Sequence, residues 1–182
     1  MGNETLNSVN GKKNAEDVIQ FLTFLLVNDT YGIEVEYVKE VNGYEKVFPV
    51  PRVSEYLKGV INLRGEIVPV IDLCSLLLGH SITVTKFTSI IILELQNEDE
   101  MIKIGVVIDA VKEVKNMPAE SIEQTPGFGL KINRDFVKGV GKADDNFIIL
   151  LDVSGILNFT LNEHLEDGKR NYSMINENGV MV

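Results

Sequence analysis

Arg64 stands in the run Asn62-Leu63-Arg64-Gly65-Glu66, between two apolar segments rich in valine and isoleucine, a pattern that predicts a hairpin tip. A guanidinium carried there presents a planar fork of donors, which suits multidentate contact with a protein partner. Residues able to make or break bonds are scarce. His80 follows a predicted helix stop and His164 lies in a polar stretch; both read as solvated side chains. Cys74, the single cysteine, sits in a leucine-rich run and reads as a buried, inert thiol. No Cys/His cluster has metal-ligand spacing, and Pro126-Gly127-Phe128-Gly129 lacks the lysine and hydroxyl of a phosphate loop. The acidic turns Asn97-Glu98-Asp99-Glu100 and Asp144-Asp145 hold oxygen ligands but read as solvated turns. With no convergent acid, base and nucleophile, no catalytic residue, metal or cofactor is expected.

Composition narrows the partners. The chain has 182 residues, a formal charge of −10 and a pI near 4.7. Nucleic acid needs clustered Lys and Arg for phosphate contact, so it is excluded, as is an anionic membrane surface. The longest apolar runs, such as FLTFLLV and FIILL, fall far short of a membrane span, and no secretory signal is visible at the start. One cysteine permits no internal disulfide, which fits a reducing cytoplasm.

The elements that must position Arg64 come in two copies. YGIEVEYVKEV, from Tyr31, is echoed by IGVVIDAVKEV, from Ile104. LKGVINLRGEIVPVIDLCSLL, from Leu57, is echoed without a gap by VKGVGKADDNFIILLDVSGIL, from Val137. Each copy predicts strand, strand, short helix, loop, hairpin, short helix. In copy one these are strands over 21–27 and 31–35, a helix over 37–41, strands over 59–63 and 67–71, and a helix over 73–78 capped by Asp72 and stopped by Gly79. In copy two they are a hairpin over 89–108, a helix over 110–115, a loop over 117–133 and a hairpin over 137–151, with Asp152 as the last cap. Short strands with frequent turns are the pattern of small barrels, so the expected fold is mostly β, with two similar five-stranded SH3-like β-barrels and short helices. Residues 1–17 read as a disordered polar segment, 18–160 as the folded unit and 161–182 as a polar tail.

Duplication also acts as a control. Lys58-Gly59-Val60 recurs as Lys138-Gly139-Val140 and Asp72 as Asp152, which points to scaffold roles. Arg64 has no counterpart, because copy two reads Lys142-Ala143-Asp144-Asp145-Asn146 at that tip. Pro69 is also unmatched, and a proline within a strand marks an edge or bulge, where an apolar docking surface is expected.

At KGVINLRGEIVPVIDL the chain resembles the coupling proteins of bacterial chemotaxis, the CheW family, and the similarity runs from Gln20 to Leu157. The resemblance implies two intertwined barrels and a non-enzymatic adaptor joining the regulatory domain of a CheA-type histidine kinase to the cytoplasmic tips of chemoreceptors. It implies a protein that is monomeric alone and cytoplasmic, recruited to receptor arrays at the inner face of the membrane without inserting into it. Arg64, Val38 and Glu40 match family receptor-contact positions, with Lys58 and Gly65 in the same motif; for Lys58 both contact and scaffold roles stay open. Phe128 matches an aromatic position of a kinase-facing loop, where it either tucks into the core or meets the partner, and Pro69 joins it as a kinase-contact expectation. Competing readings are the adaptor of a non-motility two-component pathway, a detached kinase regulatory domain, and a small-molecule-binding β protein.

Overall fold

The computed structural model describes residues 17–97, 99–124, 131–143 and 145–162. The expected polar flanks lie almost entirely outside the described residues, and Phe128 lies outside them altogether. In the first repeat, β1 (Val18–Leu26) and β2 (Asp29–Glu34) form a hairpin, and a 3-10 turn at Val35–Tyr37 leads into β3 (Val38–Gly43). A second hairpin, β4 (Leu57–Leu63) and β5 (Glu66–Asp72), runs into helix α1 (Leu73–Leu78). The second repeat supplies β6 (Ser89–Asn97), β7 (Glu100–Ile108), β8 (Ala110–Pro118), β9 (Val137–Ala143) and β10 (Asn146–Leu151), followed by helical residues 153–162.

The strands form two five-stranded sheets, ordered β8-β1-β2-β10-β9 and β3-β6-β7-β5-β4. Each repeat therefore lends its first hairpin to the other repeat's sheet. The seams are two parallel pairings: Ile149 and Leu150 of β10 lie opposite Tyr31 and Gly32 of β2, and Val70 and Ile71 of β5 lie opposite Gly105 and Val106 of β7. This is the interlock of two SH3-like units that the family resemblance implied. One large apolar cluster spans both sheets, with Phe24, Tyr31, Ile33, Ile71, Ile91, Val106, Phe136 and Ile156 among its buried members. A small cluster of Phe21, Met117, Ile148 and Leu150 fills the first sheet's own interior.

Two helix expectations are corrected. Residues 37–41 form the 3-10 turn and then β3, and residues 110–115 belong to β8. Val38 and Val41, like Val111 and Val114, imitate a helical spacing of three. β-Branched side chains tolerate a pleated strand better, and an available partner decides the outcome: Val41 pairs with Ile91, and Val111 pairs with Phe24. The caps stand as expected. Asp72 accepts from Ser75 N at 3.0 Å, Gly79 takes the left-handed conformation that ends α1, and Asp152 accepts from Gly155 N at 2.9 Å.

The repeated Lys-Gly-Val motif has a clear physical cause. Phe48 and Val60 exchange two backbone hydrogen bonds of 2.8 Å, laying the preceding loop along the outer edge of β4. Gly59 sits under that crossing at φ +140, and a Cβ there would lie 2.0 Å from the Phe48 carbonyl oxygen. Gly139 repeats the crossing beneath Glu123, whose oxygen would be 2.7 Å from an added Cβ.

Candidate functional site

Glu66 and Leu63 are the last paired residues of the β4–β5 hairpin, leaving Arg64 and Gly65 as a two-residue loop. Both have positive φ, 54 and 92, which is the type I′ geometry that matches strand twist. Gly65 adopts it without steric cost, while Arg64 adopts it as a non-glycine residue. Asn62 Oδ1 accepts from Gly65 N at 2.7 Å and fixes the turn.

The tip aims Arg64 across the sheet end toward β3. Its Nη2 donates to Glu40 Oε2 at 2.8 Å, and the Arg64 side chain remains 81% exposed while Glu40 is 20% exposed. The other Glu40 oxygen accepts from Asn42 Nδ2 at 3.2 Å. A register shift between Val38 and Glu40 in the β3–β6 pairing, a bulge, re-aims the side chains at this point. Val38 opens β3 half-buried against the core.

Around this pair lies a pocket of about 110 Å³ lined by Lys39, Glu40, Leu63, Arg64, Glu66 and Lys103. Its walls carry a chain of ion pairs: Lys39 with Glu94 at 3.2 Å, Lys103 with Glu94 at 3.8 Å, and Lys103 with Glu66 at 2.5 Å. The hydrogen bond that Lys103 donates to Glu66 holds the Lys103 pKa above its ordinary value, against a smaller opposing effect of desolvation. Three cations and three carboxylates balance here, so the surface offers directed donors and acceptors rather than net charge.

The other expected site residues lie elsewhere. Lys58 opens β4, at the opposite end of that strand from Arg64, roughly 20 Å away at the usual rise per residue. Its Nζ is 3.2 Å from Asp72 Oδ2, and Asp72 is fully buried, also accepting from Ser75 N and Ile82 N. Pro69 lies within β5, which is paired on both sides, so the edge expected from the proline is not there. Pro69 stands opposite Val60, whose own N–H and C=O turn outward to Phe48, and pairing with β7 begins only at Val70. The ladder asks for no donor at that position, and the proline is accommodated.

Among the described residues no group of His, Cys, Asp and Glu is arranged to hold a metal. Cys74 is buried with Sγ 3.3 Å from His80 Nδ1, and its thiol is pushed up to about 11, first by burial and then by the charges of Asp72 and Asp109. No helix of the described residues is long and apolar enough to cross a membrane.

The model of the CheW-like domain matches residues 20–160. The chain belongs to the CheW family. Chemotaxis protein CheW of Klebsiella aerogenes is 33% identical over 138 residues, covering 76% of this chain and 81% of that protein. Chemotaxis protein CheW of Bacillus subtilis is 29% identical over 138 residues, covering 76% and 86%. Among solved structures, the scaffolding protein TtCheW from Thermoanaerobacter tengcongensis superimposes with a TM-score of 0.67 at 34% identity, covering 74% of this chain and 84% of that one. The CheW-like match spans both sheets, so the interlocked pair is the family's unit. Lys39, Glu66, Glu94 and Lys103 escaped the reading of the sequence, because their strands become neighbours only in the folded sheet, and such ion pairs leave no local pattern.

Proposed function

We propose that this chain is a non-enzymatic coupling adaptor that joins the cytoplasmic tips of chemoreceptors to the regulatory domain of a CheA-type histidine kinase. The observation that carries the reading is the exposed Arg64 on a fixed tip, paired with Glu40 at 2.8 Å, in a chain of the CheW family. A guanidinium with free donors beside a half-buried valine suits a helical protein surface of mixed polarity. Arg64, Glu40, Val38 and Gly65 form the receptor-facing group. Lys58, anchored on Asp72 at the far end of β4, contributes through the scaffold of the same hairpin. Phe128 belongs to the kinase-facing group, and the protein works in the cytoplasm as a monomer recruited to receptor arrays.

The test is calorimetric titration of the chain with the isolated kinase regulatory domain and, separately, with a receptor-tip fragment, followed by a search for the three-part complex. Affinity in the micromolar range for each is expected, with assemblies strengthened by multivalency. Absence of both complexes at tens of micromolar overturns the reading.

A further inference from the structure

We propose that Lys103, a residue of the second repeat, is the positioning residue for the Arg64–Glu40 pair and acts on it through Glu66 and Glu94. This rests on the reading of Arg64 as a receptor contact and extends it to a side chain on a different strand, β7.

Lys103 lies on β7, between β6 and β5. Its ammonium bridges two carboxylates on opposite neighbours, Glu66 of β5 at 2.5 Å and Glu94 of β6 at 3.8 Å. Glu66 is the residue directly after the Arg64-Gly65 loop, so the bridge ties the base of that loop to the middle of the sheet. Glu94 continues to Lys39, the residue next to Glu40 on β3. Lys103 and Lys39 together thus link the β4–β5 hairpin, whose loop carries Arg64, to β3, which carries Glu40, and all except Glu94 line the same small pocket.

The duplication provides the contrast. Aligning Gly32 with Gly105 places Thr30 at the position of Lys103, and Leu25, which faces Thr30, at the position of Glu94, which faces Lys103. Asn146 follows its hairpin loop as Glu66 follows its own. On β8, Lys112 and Glu113 keep the identities of Lys39 and Glu40. There Lys112 Nζ donates to the Thr30 hydroxyl at 3.3 Å instead of joining a carboxylate relay. Two equivalent faces share a framework, and among the described residues the relay of Glu66, Lys103 and Glu94 is found on the face that also carries Arg64. A network needed only to hold such a sheet together has no reason to follow the arginine.

Lys103→Met keeps the aliphatic stem and removes the charge, and Lys103→Arg restores it. Binding of a receptor-tip fragment is compared for wild type, both variants and Arg64→Ala, with kinase-domain binding and melting temperature alongside. The Arg64 side-chain Nε–Hε order parameter is measured by NMR in the free protein. The expected result is roughly tenfold weaker receptor binding for Lys103→Met, within the range for loss of a well-placed polar anchor. A lower Arg64 order parameter, unchanged kinase binding, a melting temperature within about 2 °C and recovery in Lys103→Arg complete the expectation. Wild-type receptor binding or wild-type Arg64 order in Lys103→Met, while Arg64→Ala binds weakly, overturns the proposal and leaves the receptor reading standing. Wild-type receptor binding by Arg64→Ala itself overturns that reading instead. Equal weakening of receptor and kinase binding in Lys103→Met, or no recovery with arginine, assigns Lys103 to the fold alone and also overturns the proposal.

Discussion

Glu34 on β2 accepts a charge-assisted hydrogen bond from Lys138 on β9, a contact between a strand of the first repeat and a strand of the second. The two strands are not neighbours in their sheet, since β10 runs between them. Lys138 is the counterpart of Lys58, yet it turns to the lent hairpin where Lys58 turns to Asp72. The duplicated lysine therefore locks the interchange of hairpins on one side and the α1 cap on the other.

Breaking that contact destabilises the protein. Glu34 is 10% exposed and Lys138 39% exposed, so solvent screens part of the pair. Lys138→Met costs about 1–2 kcal/mol after that discount, because a nearly buried carboxylate loses its partner. Burial lowers the Lys138 pKa, but the hydrogen bond and charge of Glu34, together with the charges of Tyr37 and Asp152, outweigh it and leave the value raised. The contribution is therefore fully present below the unfolded lysine pKa of about 10.4 and is lost as pH rises through the higher folded value. Urea melts of wild type and Lys138→Met should differ by a constant amount from neutral pH to about 10 and converge above it.

Cys74 should resist alkylation. With its thiol moved from 9.0 to about 11, the thiolate fraction at pH 8 is on the order of a hundredfold below that of a free thiol with the unshifted value. Burial lowers access further. Mass spectrometry after iodoacetamide treatment of the folded chain should show the modification only under denaturing conditions. Rapid labelling of the native protein contradicts the assignment of Cys74 as an inert core group.

Gly59→Ala and Gly139→Ala should differ in cost, although both glycines repeat. An alanine Cβ at 59 meets the Phe48 carbonyl oxygen at 2.0 Å and must adopt φ +140, so the loop is forced off β4 at a cost of about 3 kcal/mol or more. At 139 the approach to Glu123 O is 2.7 Å and the shift required is smaller. Thermal melts of the two variants should rank them in that order.

Lys58-Gly59-Val60, the Asp72 and Asp152 caps and the β4–β5 hairpin were legible because local geometry fixes them: a loop crossing, a helix start, a two-residue turn. The Arg64–Glu40 pair was legible only through the family resemblance, since the residues are far apart in sequence. The misread helices at 37–41 and 110–115 show what local pattern omits. Valines spaced by three satisfy a helix and a bulged strand alike, and β6 and β1, arriving from elsewhere in the chain, decide between them. The exchange of hairpins and the Lys103 relay depend on that same long-range pairing.

Phe128 has a decisive variant even though it lies outside the described residues. Phe128→Ala should weaken binding to the kinase regulatory domain and leave the melting temperature nearly unchanged if the ring meets the partner. A buried ring would instead cost roughly 3–5 kcal/mol. A large fall in melting temperature moves Phe128 to the core and removes it from the kinase-facing group.

Arg64→Ala separates recognition from folding. The Arg64–Glu40 pair is largely exposed on the arginine side, and such a pair contributes only about 0–1 kcal/mol to stability. Alanine inherits the left-handed backbone at φ 54, so the variant gains no relief and melts close to wild type. Arg64→Gly relieves the backbone and should melt the same or slightly higher, by up to about 1 kcal/mol, with the guanidinium equally lost. Loss of an arginine anchor at a desolvated interface centre costs on the order of 2 kcal/mol or more, about thirtyfold in affinity. Both variants should therefore fail to retain a receptor-tip fragment in pull-downs while holding the kinase domain as wild type does. Agreement between alanine and glycine is the important result, because their backbone consequences differ and only the missing guanidinium is common to both. If the glycine variant binds receptor normally while alanine does not, turn geometry rather than the arginine side chain governs the contact.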